Sequence, residues 1–155
     1  WWKVGDIVSE IRVDAIKTRG GASEIAIDKL KGASSASSIS VVGEGGSTTT
    51  NLQQGLCKTW INFNGITGSI ATRDSFNVTS ISDDGTALYS VNIANDMASV
   101  NYALTLVGDD SGTRENIYCY AEAYAAGSFQ LRSTNDQSSY IDCEVIGCTV
   151  QGDLA

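Results

Sequence analysis

The sequence predicts an all-β fold: an antiparallel β-sandwich head, jelly-roll-like, preceded by an extended attachment or shaft segment of short strands. Three observations lead there. From Leu56 onward, apolar and polar residues alternate in strand-length runs. Clusters of Gly, Asn and Asp punctuate those runs at regular spacing, which suits a sandwich or barrel better than β-α-β units. Proline is absent and glycine occurs 16 times in 155 residues, so the turns fall to Gly, Asn and Asp.

Residues 1–55 form the first expected segment. Ile11-Arg-Val-Asp-Ala-Ile16 alternates as a half-buried strand does, and Thr18-Arg-Gly-Gly-Ala follows as a turn. Glu24-Ile-Ala-Ile-Asp-Lys-Leu30 alternates again. Gly32-Ala-Ser-Ser-Ala-Ser-Ser38 is a connector, Ile39-Ser-Val-Val42 a short strand, and Gly43-Glu-Gly-Gly-Ser-Thr-Thr-Thr50 a flexible or extended linker. Two or three short strands cannot bury a core alone. They need a neighbour, either the rest of the chain or the same segment in other subunits. The small residues of the connector favour other subunits, because they let backbones approach closely around a symmetry axis.

Residues 56–150 form the expected head, and 151–155 a tail. Strands are expected at Cys57–Phe63, Ser69–Thr72, Phe76–Ile81, Ala87–Ile93, Tyr102–Val107, Asn116–Tyr124, Ser128–Thr134 and Tyr140–Ile146. Turn signals stand between them at Asn64-Gly65, Asp83-Asp84-Gly85, Asp109-Asp110-Ser-Gly112, Gly127 and Asn135-Asp136. The period of two assigns faces. Tyr89, Val91 and Ile93 share one, as do Tyr102, Leu104 and Leu106, then Phe129 and Leu131, then Ile141, Cys143 and Val145. These are the core candidates. In Tyr118-Cys-Tyr-Ala-Glu-Ala-Tyr124 the same period puts Tyr118, Tyr120 and Tyr124 opposite Cys119, Ala121 and Ala123.

Composition excludes several functions. A net charge of −8 gains nothing from releasing counterions from nucleic acid, and an anionic bilayer repels it. No stretch is apolar enough to span a membrane. No apolar core follows Trp1-Trp2, so they do not begin a signal peptide; they read as a contact to another chain. The chain lacks histidine, which removes Ser-His and Cys-His nucleophile pairs and the commonest metal ligand. Cys57, Cys119, Cys143 and Cys148 lack zinc-like spacing and read either as buried thiols or as two disulfides. Asp83-Asp84 and Asp109-Asp110 sit beside glycines, where Asp serves turns through its own backbone hydrogen bonds. Neither pair has the alternate oxygen ligands and distal Glu of a calcium loop. No cofactor and no catalytic residue is expected.

The phrases Lys58-Thr-Trp-Ile-Asn-Phe-Asn-Gly65, Arg73-Asp-Ser-Phe-Asn-Val-Thr-Ser-Ile-Ser-Asp-Asp-Gly85, Leu88-Tyr-Ser-Val-Asn-Ile93 and Met97-Ala-Ser-Val-Asn-Tyr102 follow one another in an order that resembles the C-terminal head domain of bacteriophage tail-fibre proteins. Ser128-Phe-Gln-Leu-Arg-Ser-Thr-Asn135 and Ser139-Tyr-Ile-Asp-Cys-Glu-Val-Ile-Gly147 look like that head's last two strands. Ile11-Arg-Val-Asp-Ala-Ile-Lys-Thr18 looks like the phrase before it. The chain departs at Met97-Ala-Ser, which lacks the proline common there, and in continuing past Gly147 to Ala155. The resemblance implies an intertwined homotrimer, a virion location among other virion proteins, and contact with a bacterial cell-surface receptor.

Binding rather than turnover is therefore expected, with a surface glycan as ligand. Sugars stack on aromatic faces and hydrogen-bond to Asn, Asp and Arg. The candidate contacts are Asp83, Asp84, Asp109, Asp110, Arg114, Tyr118, Tyr120, Tyr124 and Arg132, with the loops Asp83–Gly85, Asp109–Arg114 and Asn135–Ser139 around them. The tyrosines also suit packing on a second sheet or subunit, and Trp60 suits a core or an interface. Asn77-Val-Thr79 matches a glycosylation acceptor but reads as a strand phrase. Capsid decoration or head-fibre protein, tailspike-type depolymerase, and cellular lectin or fibrous surface protein are the rival readings.

Overall fold

Alternation builds the molecule. In the computed structural model the strand from Leu88 to Ile93 buries Tyr89, Val91 and Ile93 and turns Ser90 and Asn92 the other way. The structure describes residues 29–31, 39–66, 68–109 and 116–155. The chain divides between Lys31 and Gly32 into two units, and the second, Gly32–Ala155, is the subject below. The expected strand at 11–16, the connector at 32–38 and Trp1-Trp2 lie outside the described residues. So does the strand expected to end at Leu30, except Lys29 and Leu30, which are exposed and in no strand.

A small hairpin comes first. β1 (Ser40–Val42) pairs antiparallel with β2 (Thr49–Asn51). The expected strand at 39–42 is present, but the expected linker is the hairpin's turn and return strand. Gly43 N–H donates to the Thr48 carbonyl at 2.8 Å, and Gly46 sits at φ 76°, where a side chain would be strained. Asn51 caps the single turn α1 (Leu52–Gly55), its side chain accepting the Gln54 N–H at 3.0 Å.

Eight strands follow: β3 (Cys57–Asn64), β4 (Ala71–Phe76), β5 (Val78–Gly85), β6 (Leu88–Ile93), β7 (Ala103–Asp109), β8 (Tyr118–Tyr124), β9 (Ser128–Thr134) and β10 (Val145–Gln151). They form two four-stranded antiparallel sheets, ordered β4-β3-β10-β7 and β5-β6-β9-β8. The all-β sandwich is thus present. Its strand order is not that of a jelly roll, in which only the innermost pair is a hairpin. Here β3–β4, β5–β6 and β8–β9 are all hairpins. The chain passes between sheets at Asn77, whose φ of 58° turns the corner. That corner displaces the two strands beside it from the expected Ser69–Thr72 and Phe76–Ile81. The side-chain amide of Asn77 is engaged there with the Lys58 and Asn95 carbonyls at 3.0 and 3.1 Å.

The core lies between the sheets. Ile61, Phe63, Ile146, Cys148 and Val150 come from the first, and Tyr89, Val91, Ile93, Phe129 and Leu131 from the second. Phe63 and Tyr89 meet edge to face, centroids 5.3 Å apart, a favoured aromatic geometry. Tyr102 joins the core, and Leu104 and Leu106 pack against it as their alternation requires.

The last strand corrects its expectation. It runs Val145–Gln151, not Tyr140–Ile146, and its buried residues are Ile146, Cys148 and Val150, not Val145. A one-residue slip exchanges the faces of a strand. Ile141 and Cys143 still reach the core, but from the connection before the strand, which Asp142 anchors to the second sheet. The expected tail starts inside this central strand. Beyond it, the Asp153 carbonyl accepts the Ala98 N–H at 2.8 Å and the Ala155 N–H donates to the Asp96 carbonyl at 2.9 Å.

Candidate functional site

Pairing across the second sheet places one set of side chains on its outer face. Ser82 lies opposite Ser90, Ser90 opposite Gln130, and Arg132 between Leu88 and Tyr120. Gln130 and Arg132 are one strand repeat apart, about 7 Å. Tyr118 follows Tyr120 on the same face, 58% exposed.

Two bulges bring carboxylates to this face. β5 skips Asp84 between the pairs Asp83–Tyr89 and Gly85–Leu88. The released Asp84 accepts from Ser82 Oγ at 3.0 Å, from Gln130 Nε2 at 3.2 Å and from Ser90 Oγ. The Ser90 hydroxyl, helped by Ser82 and Gln130 against slight burial, holds the Asp84 carboxyl below the usual carboxylate range. Asp83 has the turn role its setting predicted, accepting the Gly85 N–H at 3.2 Å. On the other edge, β8 skips Glu122, which pairs with Arg132 Nε at 3.2 Å.

Arg132 is the centre of the arrangement. Its guanidinium lies 4.4 Å from the Tyr140 ring centroid, a cation–π contact, while its Nε–H donates to Glu122 Oε2. The Tyr140 hydroxyl bonds with that of Tyr120. Local burial and that bond raise the Tyr120 phenol above its ordinary range. The loop that delivers Tyr140 is tight: Asn135 Oδ1 accepts the Gln137 and Ser139 N–H groups at 3.1 and 2.9 Å. The face therefore offers three exposed phenols, a fixed guanidinium and a row of planar amide and carboxylate acceptors and donors.

Of the expected contacts, Asp84, Tyr118, Tyr120 and Arg132 converge here. Tyr124 does not. The bulge at Glu122 reverses the parity of β8, so Tyr124 pairs with core-facing Phe129 and packs on Tyr102, centroids 5.2 Å apart. Asp109 ends β7 in the other sheet, opposite Val145. Asp110 and Arg114 lie outside the described residues. Ser82, Ser90, Gln130, Glu122 and Tyr140 were missed. Strand parity could have found Ser90 and Gln130, since both alternate with core residues. The two bulges had no sequence signal.

The rest of the molecule supplies less. None of the four cysteines is in a disulfide, and burial pushes the Cys119 and Cys148 thiols up to about 12, so both stay protonated at neutral pH. Trp60 points outward from the first sheet, beside exposed Phe76, so it is not core. A groove of about 550 Å³ runs between Leu56, Phe76 and Leu154, with the Lys58 ammonium bound at its side to the Leu56 carbonyl at 3.0 Å and to that of Gln53. Among the described residues no three His, Cys, Asp or Glu side chains gather as a metal site would require, and no helix is long and apolar enough to cross a membrane. Comparison with protein-family models, curated proteins and solved structures found no match.

Proposed function

We propose that this chain is a non-catalytic binding module that holds a glycan on the outer face of its second sheet. The carrying observation is the cluster of Tyr120, Tyr140 and Arg132, flanked by Tyr118 and by Gln130, Ser90 and Asp84. Aromatic faces suit the C–H faces of pyranose rings, and planar polar groups in fixed positions suit their hydroxyls. Preorganisation lowers the cost of binding, and this face is already cross-linked by its own hydrogen bonds. The carboxylates act as acceptors: Asp84 is stabilised in its ionised form and Glu122 is paired with Arg132. A glycosidase needs one carboxyl raised to act as an acid.

The resemblance adds the setting: a bacteriophage fibre or other exposed virion part that touches a bacterial surface. Shallow open faces bind single sugars weakly, and several copies on one particle convert weak sites into firm attachment through effective concentration. The test is binding of the purified chain to bacterial surface polysaccharides, with Tyr120→Ala and Arg132→Ala as variants. Saturable binding, lost in both variants without loss of fold, supports the reading. Binding unchanged in both variants, or release of reducing ends during incubation, contradicts it.

A further inference from the structure

The outer face of the second sheet has a charge pattern that narrows its ligand. Among the described residues of the second unit the cations are Lys58, Arg73 and Arg132. Lys58 lies on β3 and Arg73 on β4, both in the first sheet, so among those residues Arg132 is the one cation of the tyrosine face. It is barely presented to solvent. Its side chain is 16% exposed, its Nε–H donates to Glu122 at 3.2 Å, and its guanidinium lies over the Tyr140 ring. Glu122, which neutralises it, is the more exposed of the pair at 39%. The segments outside the described residues do not reverse the sign, since by sequence they hold more Asp and Glu than Lys and Arg. Residues 110–115, which lead toward β8, set Asp110 and Glu115 against Arg114.

Carboxylate is what the face does present. Asp84 is exposed, and the Ser90 hydroxyl holds its carboxyl below the usual carboxylate range. Its oxygens accept from Ser82, Gln130 and Ser90. A carboxylate has about four lone-pair sites, so it has room for one further donor. Beyond Asp84 the sheet continues with neutral groups: Asn92 Nδ2 donates to Ser80 Oγ at 3.0 Å, and Asn92 stands opposite Ser80 on one side and Ser128 on the other.

We propose that this face selects glycans without acidic groups, whose pyranose units bring hydroxyl or amide donors to Asp84 and C–H faces to Tyr118, Tyr120 and Tyr140. The inference rests on the glycan reading and deepens it. A sugar hydroxyl can donate to the open position on Asp84. A uronate or a phosphodiester has no proton to donate there at neutral pH. It would also stand beside Asp84 and Glu122, while the guanidinium that could attract it is already matched. Like charges brought together across an interface reject the wrong partner. The net charge of −8 acts in the same direction at longer range. Glu122 is thus a specificity residue: it cancels the charge that would otherwise draw an acidic sugar.

The test measures binding of the full chain to neutral bacterial polysaccharides and to acidic ones, each acidic one before and after chemical reduction of its carboxylates to alcohols. The wild type should bind neutral or carboxyl-reduced members at least about tenfold more tightly than acidic parents. Added salt should leave that affinity within about twofold, because no exposed ion pair forms. Glu122→Gln and Asp84→Asn should each raise the ratio of acidic to neutral affinity at least about tenfold, and Asp84→Asn stands alone if Glu122→Gln does not fold. Val107→Lys makes the same change in net charge at a position on the first sheet that is 63% exposed, and should leave the ratio unchanged. Acidic members that bind as tightly as their reduced forms, or a ratio that neither substitution on the tyrosine face moves, overturn this inference; binding that still depends on Tyr120 and Arg132 then keeps the glycan reading. A ratio that Val107→Lys raises as much as Glu122→Gln does also overturns it, because net charge and not the face would be sorting the ligands. Absence of saturable binding to every member overturns both.

Discussion

Tyr89→Phe is the substitution whose consequence the structure defines most fully. The Tyr89 ring is wholly buried, and its hydroxyl lies 2.7 Å from the Gly65 carbonyl and 3.1 Å from Asp142 Oδ1. Asp142 also accepts the Ala87 N–H at 2.6 Å. The one phenol thus ties the end of β3, the β5–β6 turn and the connection into β10. Phenylalanine keeps the ring and its packing on Phe63, so the cavity contribution is small. What is lost is one donor between two acceptors, of which the buried Gly65 carbonyl is left without that partner. Leaving a buried acceptor unsatisfied costs about 1–3 kcal/mol, and we expect about 2 kcal/mol here. On a domain of this size that lowers the thermal midpoint by roughly 6–10 °C. Urea and thermal unfolding followed by circular dichroism measure it. Tyr102→Phe is the internal control, because its hydroxyl reaches the Ala125 and Ser128 carbonyls at 3.1 and 3.2 Å near the surface, where water can replace it. A loss below about 0.5 kcal/mol in Tyr89→Phe, or one smaller than in the control, would refute the reasoning.

Other expectations are narrower. Gly65→Ala should destabilise at least as much, because a β-carbon there would stand 2.6 Å from the Tyr89 hydroxyl; pairing it with Tyr89→Phe should recover part of the loss. Stability should fall in alkali: the Cys119 and Cys148 pKa values are raised by folding, so their contribution is whole below the ordinary thiol value of 9.0 and disappears as pH rises toward about 12, which denaturant midpoints from pH 7 to 11 would show as a decline beginning near pH 9. Asp84 behaves oppositely. Its lowered pKa gives stability above the ordinary Asp value, lost as pH falls through the lowered one, so the midpoint gap between wild type and Asp84→Ala should close only in strong acid.

The sheets were legible because their residues obey a period of two. Phe129-Gln-Leu-Arg and Tyr89-Ser-Val-Asn each state which side chain goes inward, and the sandwich follows from burying those sides. Departures came where the backbone breaks that period. The Glu122 bulge moves Tyr124 off the tyrosine stripe, and the Asp84 bulge lifts a turn carboxylate onto the open face. Both depend on the neighbouring strand, which local sequence does not contain. The final strand was misplaced because Ile141, Cys143 and Val145 alternate as well as Ile146, Cys148 and Val150 do. Only the pairing of β10 with both β3 and β7 decides between them. The wrapped order of a jelly roll likewise gave way to local hairpins, since tight turns such as Asp83–Gly85 close strands on their immediate neighbours.

The most direct measurement is a titration of the purified chain with bacterial surface polysaccharide, followed by calorimetry and by the fluorescence of the tyrosine and tryptophan side chains. Saturable binding that Tyr120→Ala and Arg132→Ala abolish, while Val107→Lys leaves it intact, is the predicted result. Polysaccharide binding that survives loss of both Tyr120 and Arg132 would contradict the assignment of the second sheet's outer face.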